Sequence, residues 1–292
     1  MQASTAQLIS QFKALADPVR LRLVALCAHG ECSVSELTEI MGLSQPRVSQ
    51  HLKQLCDCGL VERFRDGHFV YYRVPTRGKS GGDLRKLIGM LPEDERVFDR
   101  DIEALRDLRG ATGIIESSDD NRPLHRALVE LTISTPLGDL LDIGCGQGRL
   151  MMLLASRANR AVGVDIDADA RRFARAHLLL AGLPNCTFRH GDMYSLPLED
   201  QQFDTIIVDD VLGEANDPVK VLLEAQRPLR DGGRILILCS TSADEAEALS
   251  RQIAGWCREA DLRLAPPRPV PAKDPRWLLA VATPAETGKV AA

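Results

Sequence analysis

The sequence has no apolar run near the ~20 residues that a membrane-spanning helix needs. Met1 is followed by polar residues instead of a basic segment and an apolar core, so no secretory signal is predicted. An excess of basic charge is also lacking, because the formal net charge is −5. These absences argue against a membrane partner and a uniformly basic nucleic-acid protein, and we expect a cytoplasmic location.

Internal repeats are not visible either. The eight cysteines are scattered through predicted helices and strands, so we expect most of them to be small core residues and not disulfides. The 292 residues leave room for two domains.

Helix caps organise the first part of the chain. Asp17-Pro18 supplies an N-cap and a proline at the first helical position, and Ser33 with Glu36 has capping-box spacing. Ser44 is a third predicted cap, ahead of a helix over 45–57. Helix, short glycine-containing turn and helix are typical of a helix-turn-helix.

The segment after this helix has the character of a β-hairpin. Residues 60–65 and 68–74 favour strands, and the Asp66-Gly67 pair between them is a strong turn signal. Residues 1–75 therefore predict an α+β winged helix-turn-helix domain that binds DNA.

The helix over 45–57 has two distinct faces. Val48, Leu52 and Leu55 repeat every three or four residues and are expected to face the core, which leaves short polar and basic side chains outward. His51 lies near the edge, where packing and phosphate contact are equally open. The predicted DNA contacts are Gln45, Arg47, Ser49, Gln50 and Lys53 on the helix, and Arg63, Arg65, His68 and Arg73 in the hairpin.

Residues 76–122 are expected to connect two domains. The first part, up to Gly82, reads as a linker, and 83–110 carries charges with spaced apolar positions. That pattern suits helices that join domains or pack in a dimer. These helices are the expected carriers of any signal between the domains.

Residues 123–292 alternate between helical and strand patterns, which predicts an α/β domain with an open parallel sheet wound on both sides, of Rossmann-like type. The predicted helices are 124–133, 148–157, 168–181, 217–229 and 243–260. The predicted strands are 138–143, 161–165, 186–189, 204–208 and 233–239, with a final pair at 262–264 and 277–282.

A nucleotide-binding pattern lies at the first of these strands. Residues 140–150 read LLDIGCGQGRL, and Asp165 ends the next predicted strand. Glycines let the backbone approach a ligand closely, and an acid at that strand end can accept hydrogen bonds from both ribose hydroxyls. NAD and other adenosine compounds both remain compatible with this pattern.

The stretch FKALADPVRLRLVALC…CSVSELTEIMGLSQPRVSQHLKQLCDCGLVERFRDGHFVYYRV resembles the ArsR-type winged-helix regulators over residues 8–75. The resemblance implies a homodimer that binds a palindromic operator as a repressor and is released by a ligand. Many members sense metals through a Cys-x-Cys pair; the matching positions here are Ser33 and Ser35, with Cys32 displaced by one. No metal site is therefore predicted there. Cys56 and Cys58 leave a metal or redox role open beside a structural one.

The segments LLDIGCGQGRL, GDMYSLPLEDQQFDTIIVDDVL and ANDPVKVLLEAQRPLRDGGRILIL resemble class I methyltransferases over residues 124–240. The resemblance implies a bound S-adenosylmethionine or S-adenosylhomocysteine, with Asp192 at the adenine amino group and Asp209 near the methionine portion. Asp210 could cap structure or touch the ligand. The cofactor-binding candidates are Asp142, Gly144, Cys145, Gly146, Gly148, Asp165, Ile166, Asp192, Met193 and Asp209.

Departures from the methyltransferase pattern bear on function. No Asn-Pro-Pro-Tyr or Asp-Pro-Pro-Tyr motif follows the fourth strand, and Cys239-Ser-Thr-Ser leads almost directly into the next helix, where an acceptor-binding insertion is common. No catalytic residue is assigned. The hypothesis is a transcriptional regulator with the adenosyl compound as effector; the alternatives are an active methyltransferase fused to a regulator domain and a metal- or thiol-responsive repressor.

Overall fold

The computed structural model describes residues 4–66, 69–75, 84, 86–88, 96–110 and 122–285. By their contacts they form two compact units, one drawn from 1–114 together with 172–187, the other from 115–171 and 188–292. The predicted linker, which runs from residue 76 to Gly82, lies outside the described residues. In the described part, no helix combines the length and apolar character needed to cross a lipid bilayer.

The first unit begins with four helices that are α1 (Thr5–Leu15), α2 (Pro18–His29), α3 (Val34–Met41) and α4 (Gln45–Asp57). A short strand β1 (Cys32–Ser33) and the hairpin strands β2 (Glu62–Asp66) and β3 (Phe69–Arg73) form an antiparallel sheet in the order β1-β3-β2. This is the predicted winged helix-turn-helix arrangement, with α3 and α4 as its helix pair. The unit also contains α5 (Arg96–Gly110).

Two of the three predicted caps form as expected. Asp17 accepts a hydrogen bond from the Arg20 amide at 2.9 Å and begins α2. Ser33 and Glu36 make the full capping box of α3, and Gly42 ends that helix in the left-handed conformation with φ of 61°. Ser44 occupies the N-cap position of α4, but its side chain makes no capping hydrogen bond.

The α/β fold consists of the second unit together with residues 172–187, which by their contacts belong with the first unit. Its helices are α6 (Arg122–Ser134), α7 (Arg149–Leu154), α8 (Ala168–Leu180), α9 (Val211–Glu214), α10 (Pro218–Gln226) and α11 (Ala246–Glu259). Its strands are β4 (Asp139–Ile143), β5 (Arg160–Asp165), β6 (Cys186–His190), β7 (Phe203–Asp209), β8 (Leu229–Ser240), β9 (Leu262–Leu264), β10 (Arg268–Val270) and β11 (Trp277–Pro284).

The large sheet has the order β10-β11-β8-β7-β4-β5-β6, and β9 also pairs with β11. The strands β5, β4, β7 and β8 run parallel, whereas β11 is antiparallel to β8 and to β10. The sheet is therefore mixed at one edge and not wholly parallel. In this order β4 lies between β5 on one side and β7 on the other. The strand order reverses at β4, and at such a point a crevice forms at the carboxyl ends of the strands, where ligands of such sheets bind.

The capping box gives a matched pair of variants. Ser33→Ala removes an acceptor that the α3 amide of Glu36 uses at 3.3 Å, so we expect a loss of about 0.5–2 kcal/mol in the free energy of unfolding. Ser44→Ala removes no capping bond and should change stability by less than about 0.5 kcal/mol. Urea denaturation of both variants measures this, and equal losses would contradict the assignment.

Candidate functional site

The loop after β4 is shaped by three glycines in the left-handed region. Gly144, Gly146 and Gly148 have φ values of 71°, 49° and 80°. A Cβ at Gly144 would collide with the side chain of Val211, so this position also needs the missing side chain. The amide of Gly144 donates to the carbonyl of Val164 at 2.8 Å, which holds the loop against β5.

The carboxylate of Asp165 completes this loop. Its Oδ2 accepts a hydrogen bond from the Gly146 amide at 2.7 Å, and its Oδ1 accepts one from the Asp167 amide at 2.8 Å. Each carboxylate oxygen has a second lone pair, so two acceptor sites remain for a ligand. The predicted glycine–acid partnership is thus a direct contact between the loop and the strand end.

A cavity of about 290 Å³ lies beside this contact. Six predicted cofactor residues line it: Gly144, Asp165, Ile166, Asp192, Met193 and Asp209. Asp210, for which the sequence leaves a ligand contact open, also lines it, and five lining residues were not predicted: Ile143, Val164, Gly191, Val211 and Glu214. The residues at strand ends could have been found, because the carboxyl ends of parallel strands meet at one edge of the sheet. Glu214 belongs to no motif that would have identified it.

Four predicted cofactor residues do not line the cavity. Gly146 and Gly148 shape the loop, and Cys145 is buried with its amide bonded to the carbonyl of Val164 at 3.2 Å. Asp142 is fully buried on β4, and its Oδ1 has no hydrogen-bond partner among the described residues. Burial raises the pKa of the Asp142 carboxyl well above its ordinary range, and the negative charge of Asp209 adds to this.

Asp209, which lines the cavity, forms an ion pair with Arg149. Arg149 on α7 donates to Asp209 Oδ2 at 3.0 Å. Burial raises the pKa of Asp209, and the Arg149 guanidinium opposes that shift. Asp209 therefore lines the cavity as the acidic partner of a salt bridge.

Asp210 has a structural partner as well as a place on the cavity wall. Its carboxylate accepts hydrogen bonds from the amide and the hydroxyl of Ser240, the latter at 2.5 Å. These bonds tie the end of β8 to the start of α9, and Asp210 itself adopts a φ of 56°. The structural role that the sequence left open is present.

The two faces of α4 differ in exposure, as its pattern of apolar residues predicts. Val48, Leu52 and Leu55 are fully buried. Of the predicted contacts on this helix, Ser49 is half-buried, and the exposed ones are Gln45, Arg47, Gln50 and Lys53. His51 is half-buried, and its Nδ1 has no hydrogen-bond partner within the described part of the chain.

The hairpin exposes only part of the basic surface that the sequence predicts to contact DNA. Arg63 and Arg65 on β2 are exposed, whereas His68 lies outside the described residues. The prediction for Arg73 was wrong. Its guanidinium pairs with Glu31 at 2.9 Å and Glu62 at 2.5 Å, so it is held inside the unit by two acids that the sequence pattern does not bring together.

Residues 17–63 match the bacterial regulatory proteins of the arsR family, and residues 135–276 match a methyltransferase domain family. The chain joins an ArsR-family helix-turn-helix domain to a methyltransferase domain. Over 64 residues, 22% of this chain and 50% of the other, it is 48% identical to an arsenic resistance transcriptional regulator of Pseudomonas putida.

The methyltransferase domain has relatives of its own. The chain is 37% identical over 106 residues to an arsenite methyltransferase of Aquipseudomonas alcaligenes, covering 33% of this chain and 31% of that protein. It thus spans half or less of the length of these curated relatives. The crystal structure of a SAM-dependent methyltransferase from Aquifex aeolicus is 17% identical, with a TM-score of 0.49 over 60% of this chain and 97% of that chain.

The surroundings of the cysteines in the ArsR-type domain bear on the metal or redox role that the sequence leaves open. Cys32 is fully buried, and the hydroxyls of Ser33 and Ser35 lie 3.0 Å apart. Cys56 and Cys58 are half-buried near the end of α4, where the thiol of Cys58 lies 3.3 Å from the Ser10 hydroxyl. Within the described ranges, no three His, Cys, Asp or Glu side chains form a cluster that could hold a metal ion.

The raised pKa of Asp142 in the methyltransferase domain predicts a pH-dependent effect of Asp142→Asn. An unfolded aspartate ionises near pH 4, whereas the buried Asp142 keeps its proton to higher pH. The stability of the wild type therefore falls as the pH rises from the unfolded pKa to the folded pKa of Asp142. The amide carries no such proton. We therefore expect the stability of the variant relative to wild type to increase from pH 4.5 to pH 8 in urea denaturation.

Asp139→Asn is the matched control on the same strand. Asp139 pairs with Arg160 at 3.0 Å and Arg230 at 2.9 Å, so its replacement should lower stability at pH 8. A stability difference between Asp142→Asn and wild type that stays constant over the pH range would refute the protonated state.

Proposed function

We propose that the chain is a DNA-binding repressor, active in the cytoplasm as a homodimer, whose methyltransferase domain binds S-adenosylhomocysteine or S-adenosylmethionine as its effector. The observation that carries this proposal is the Asp165-lined cavity in the same chain as an exposed basic reading helix. Neither part alone would distinguish a regulator from an enzyme.

The exposed face of α4 supports the DNA-binding half. Arg47 and Lys53 can neutralise phosphates, while Gln45 and Gln50 can form hydrogen bonds with base edges in a major groove. The match of residues 17–63 to the arsR family supports the same assignment. Arg63 and Arg65 of the hairpin extend this surface as a wing.

Exposed apolar side chains on α1 support the homodimer. Leu8, Ile9 and Phe12 are 43%, 50% and 61% exposed, and the spacing of Leu8 and Phe12 places them on one helix face. Large apolar side chains grouped on a surface are typical of protein interfaces. A second copy of α1 would cover them, and two reading helices would then face a palindromic operator.

The cavity suits the parts of an adenosyl sulfur compound. Asp165 keeps free acceptor sites for the ribose hydroxyls, and the adjoining Ile166 is 68% exposed as an apolar surface for the adenine ring. Asp192 can accept from the adenine amino group. Asp209 and Arg149 can receive the ammonium and carboxylate of the amino-acid portion.

The connection after β8 favours an effector over a methyl donor. Only residues 241–245 separate β8 from α11, and Ser242 and Glu245 in this connection bond to each other at 3.0 Å. This leaves no inserted segment at a place where acceptor-binding structure is expected. An effector regulates DNA binding only if its affinity differs between the DNA-bound and free protein.

Methyl transfer is the second candidate function. The methyltransferase family match over residues 135–276 and the identity to an arsenite methyltransferase favour it. Incubation with methyl-labelled S-adenosylmethionine and a cell extract separates the two functions. Sustained transfer of label into an acceptor would support the enzyme, whereas ligand-dependent DNA affinity without turnover would support the regulator.

Asp165→Ala tests the ligand site. We expect calorimetry to show binding of S-adenosylhomocysteine and S-adenosylmethionine weakened at least about tenfold, because a hydrogen bond to a charged group is worth about 1.5–3 kcal/mol and 1.4 kcal/mol is tenfold. Asp244→Ala removes an exposed acid of the same unit and should leave affinity unchanged. Undiminished binding by Asp165→Ala would reject the site.

Arg47→Ala and Lys53→Ala test the reading face. Each should weaken binding to a duplex selected by the wild-type protein from a random library. Where the side chain contacts phosphate, the slope of log affinity against log salt should also fall by about 1. Arg251→Ala removes an exposed cation on α11 and serves as the control in fluorescence anisotropy. Equal affinities for all four proteins would remove α4 from the interface.

A further inference from the structure

Helix α8 belongs to both compact units. It runs without interruption from Ala168 to Leu180, and the division between the units falls between Arg171 and Arg172. Residues 172–187 lie inside the methyltransferase family match, yet by their contacts they belong with the ArsR-type domain. One continuous helix therefore begins in the unit that contains Asp165 and has its remaining turns in the other unit.

The first turn of α8 is fastened to the strand end that carries Asp165. Arg171 is 1% exposed and donates from Nη1 to the backbone carbonyl of Asp165 at 2.8 Å. The carboxylate of Asp167 accepts hydrogen bonds from the amides of Asp169 and Ala170 at 2.8 and 3.2 Å. Because the Asp167 amide also bonds to the Asp165 carboxylate, a displacement of that carboxylate reaches the start of the helix directly.

The next turns of α8 carry a buried arginine that joins the wing. Arg175 donates from Nε to Glu31 at 2.8 Å and from Nη2 to Asp66 at 2.5 Å. Its guanidinium also lies 4.2 Å from the ring centre of Tyr71. The side chains of Arg175, Glu31 and Asp66 are only 4%, 1% and 3% exposed, so all three charges have been removed from water.

The two acids that hold Arg175 belong to the DNA-reading structure. Asp66 is the last residue of β2, at the base of the hairpin turn. Glu31 precedes β1 and also holds Arg73 of β3. The Arg175 ion cluster, defined as Glu31, Asp66, Arg73 and Arg175, thus connects α8 to both strands of the wing.

Buried ion pairs tolerate little separation, because a charge left without its partner in the protein interior is strongly destabilising. Movement of α8 must therefore be followed by its acidic partners or be opposed by them. Since one partner ends a wing strand, a shift of the helix changes the position of the hairpin that carries Arg63 and Arg65. Two alternative arrangements of the cluster would give the two states that regulation needs.

We propose that α8 is the element through which ligand at Asp165 changes DNA binding, with Arg175 as the positioning residue that moves the wing. This rests on the effector function proposed above and gives it a physical connection. The sequence pattern had favoured the helices in 83–110 as carriers of the signal. Arg109 of α5, within that range, also contacts this assembly, donating to Glu36 at 2.6 Å and to the Arg175 carbonyl at 3.4 Å.

The test measures the coupling ratio, which is the dissociation constant of S-adenosylhomocysteine for the free protein compared with that for the protein–operator complex. In the wild type we expect a ratio away from unity, in the range of about 5- to 150-fold. Arg175→Gln should bring this ratio close to one, while the free protein still binds the ligand. Asp66→Asn removes one pair and leaves Arg175 with Glu31, so it provides a milder second variant.

Arg22→Gln is the matched control. It removes a half-buried pair with Asp101, at 2.6 Å, which belongs to the same unit and does not involve α8. A purely structural role for Arg175 would lower the melting temperature in Arg175→Gln and leave the coupling ratio near the wild-type value. If Arg175→Gln does not fold, Asp66→Asn decides between the same two results.

The outcomes separate the two proposals. A coupled wild type, with coupling lost in Arg175→Gln, reduced in Asp66→Asn and kept in Arg22→Gln, supports transmission through α8. A coupled wild type whose coupling survives undiminished in Arg175→Gln, or in Asp66→Asn where Arg175→Gln does not fold, overturns the role of Arg175 and leaves the effector function standing. A wild-type ratio of one rejects the effector function, and with it the signal that α8 would carry.

Discussion

The hydrogen bond from the Gly146 amide to the Asp165 carboxylate is the constraint on which the site depends. It fixes the glycine loop after β4 against the end of β5 at 2.7 Å and thereby defines one wall of the cavity. The same carboxylate bonds to the Asp167 amide, the residue that caps α8. One acid therefore organises both the cavity wall and the start of a helix.

Buried ion pairs link distant segments of the chain within the first unit. Glu31 and Asp66 lie in the interior with Arg175, and Glu36 pairs with Arg109 from α5 at 2.6 Å. Such pairs define geometry more reliably than they add stability, because their desolvation offsets much of their attraction. The wing and the helix-turn-helix are thus positioned by partners that come from distant parts of the chain.

Local signals in the sequence predicted the elements well. The capping box at Ser33 and Glu36, the Asp17-Pro18 start and the glycine loop all rest on interactions between near neighbours, or on a spacing that a βαβ unit imposes. The fold class follows from such patterns, since strand and helix alternation leaves few arrangements of a parallel sheet. Six of the ten predicted cofactor residues line the cavity, because they lie in or after strands whose carboxyl ends meet at one edge of the sheet.

Long-range pairing could not be predicted in this way. Asp66 has the sequence signature of a turn residue, but it is buried because Arg175 reaches it from a helix far along the chain. The sequence pattern likewise predicts that Arg73 is a DNA-contacting cation of the wing. In the structure its guanidinium forms ion pairs with Glu31 and Glu62. Glu214 lines the cavity only because α9 follows β7 directly. Each outcome depends on tertiary proximity, which spacing along one element does not encode.

Hydrogen exchange of the DNA-free protein, with and without S-adenosylhomocysteine, tests the central claim most directly. Ligand that acts through Asp165 and α8 should slow exchange of amides in 144–148 and 167–180, and should also change exchange in the wing strands at 62–66 and 69–73. Protection confined to the glycine loop, with the wing strands unchanged at saturating ligand, would contradict the account.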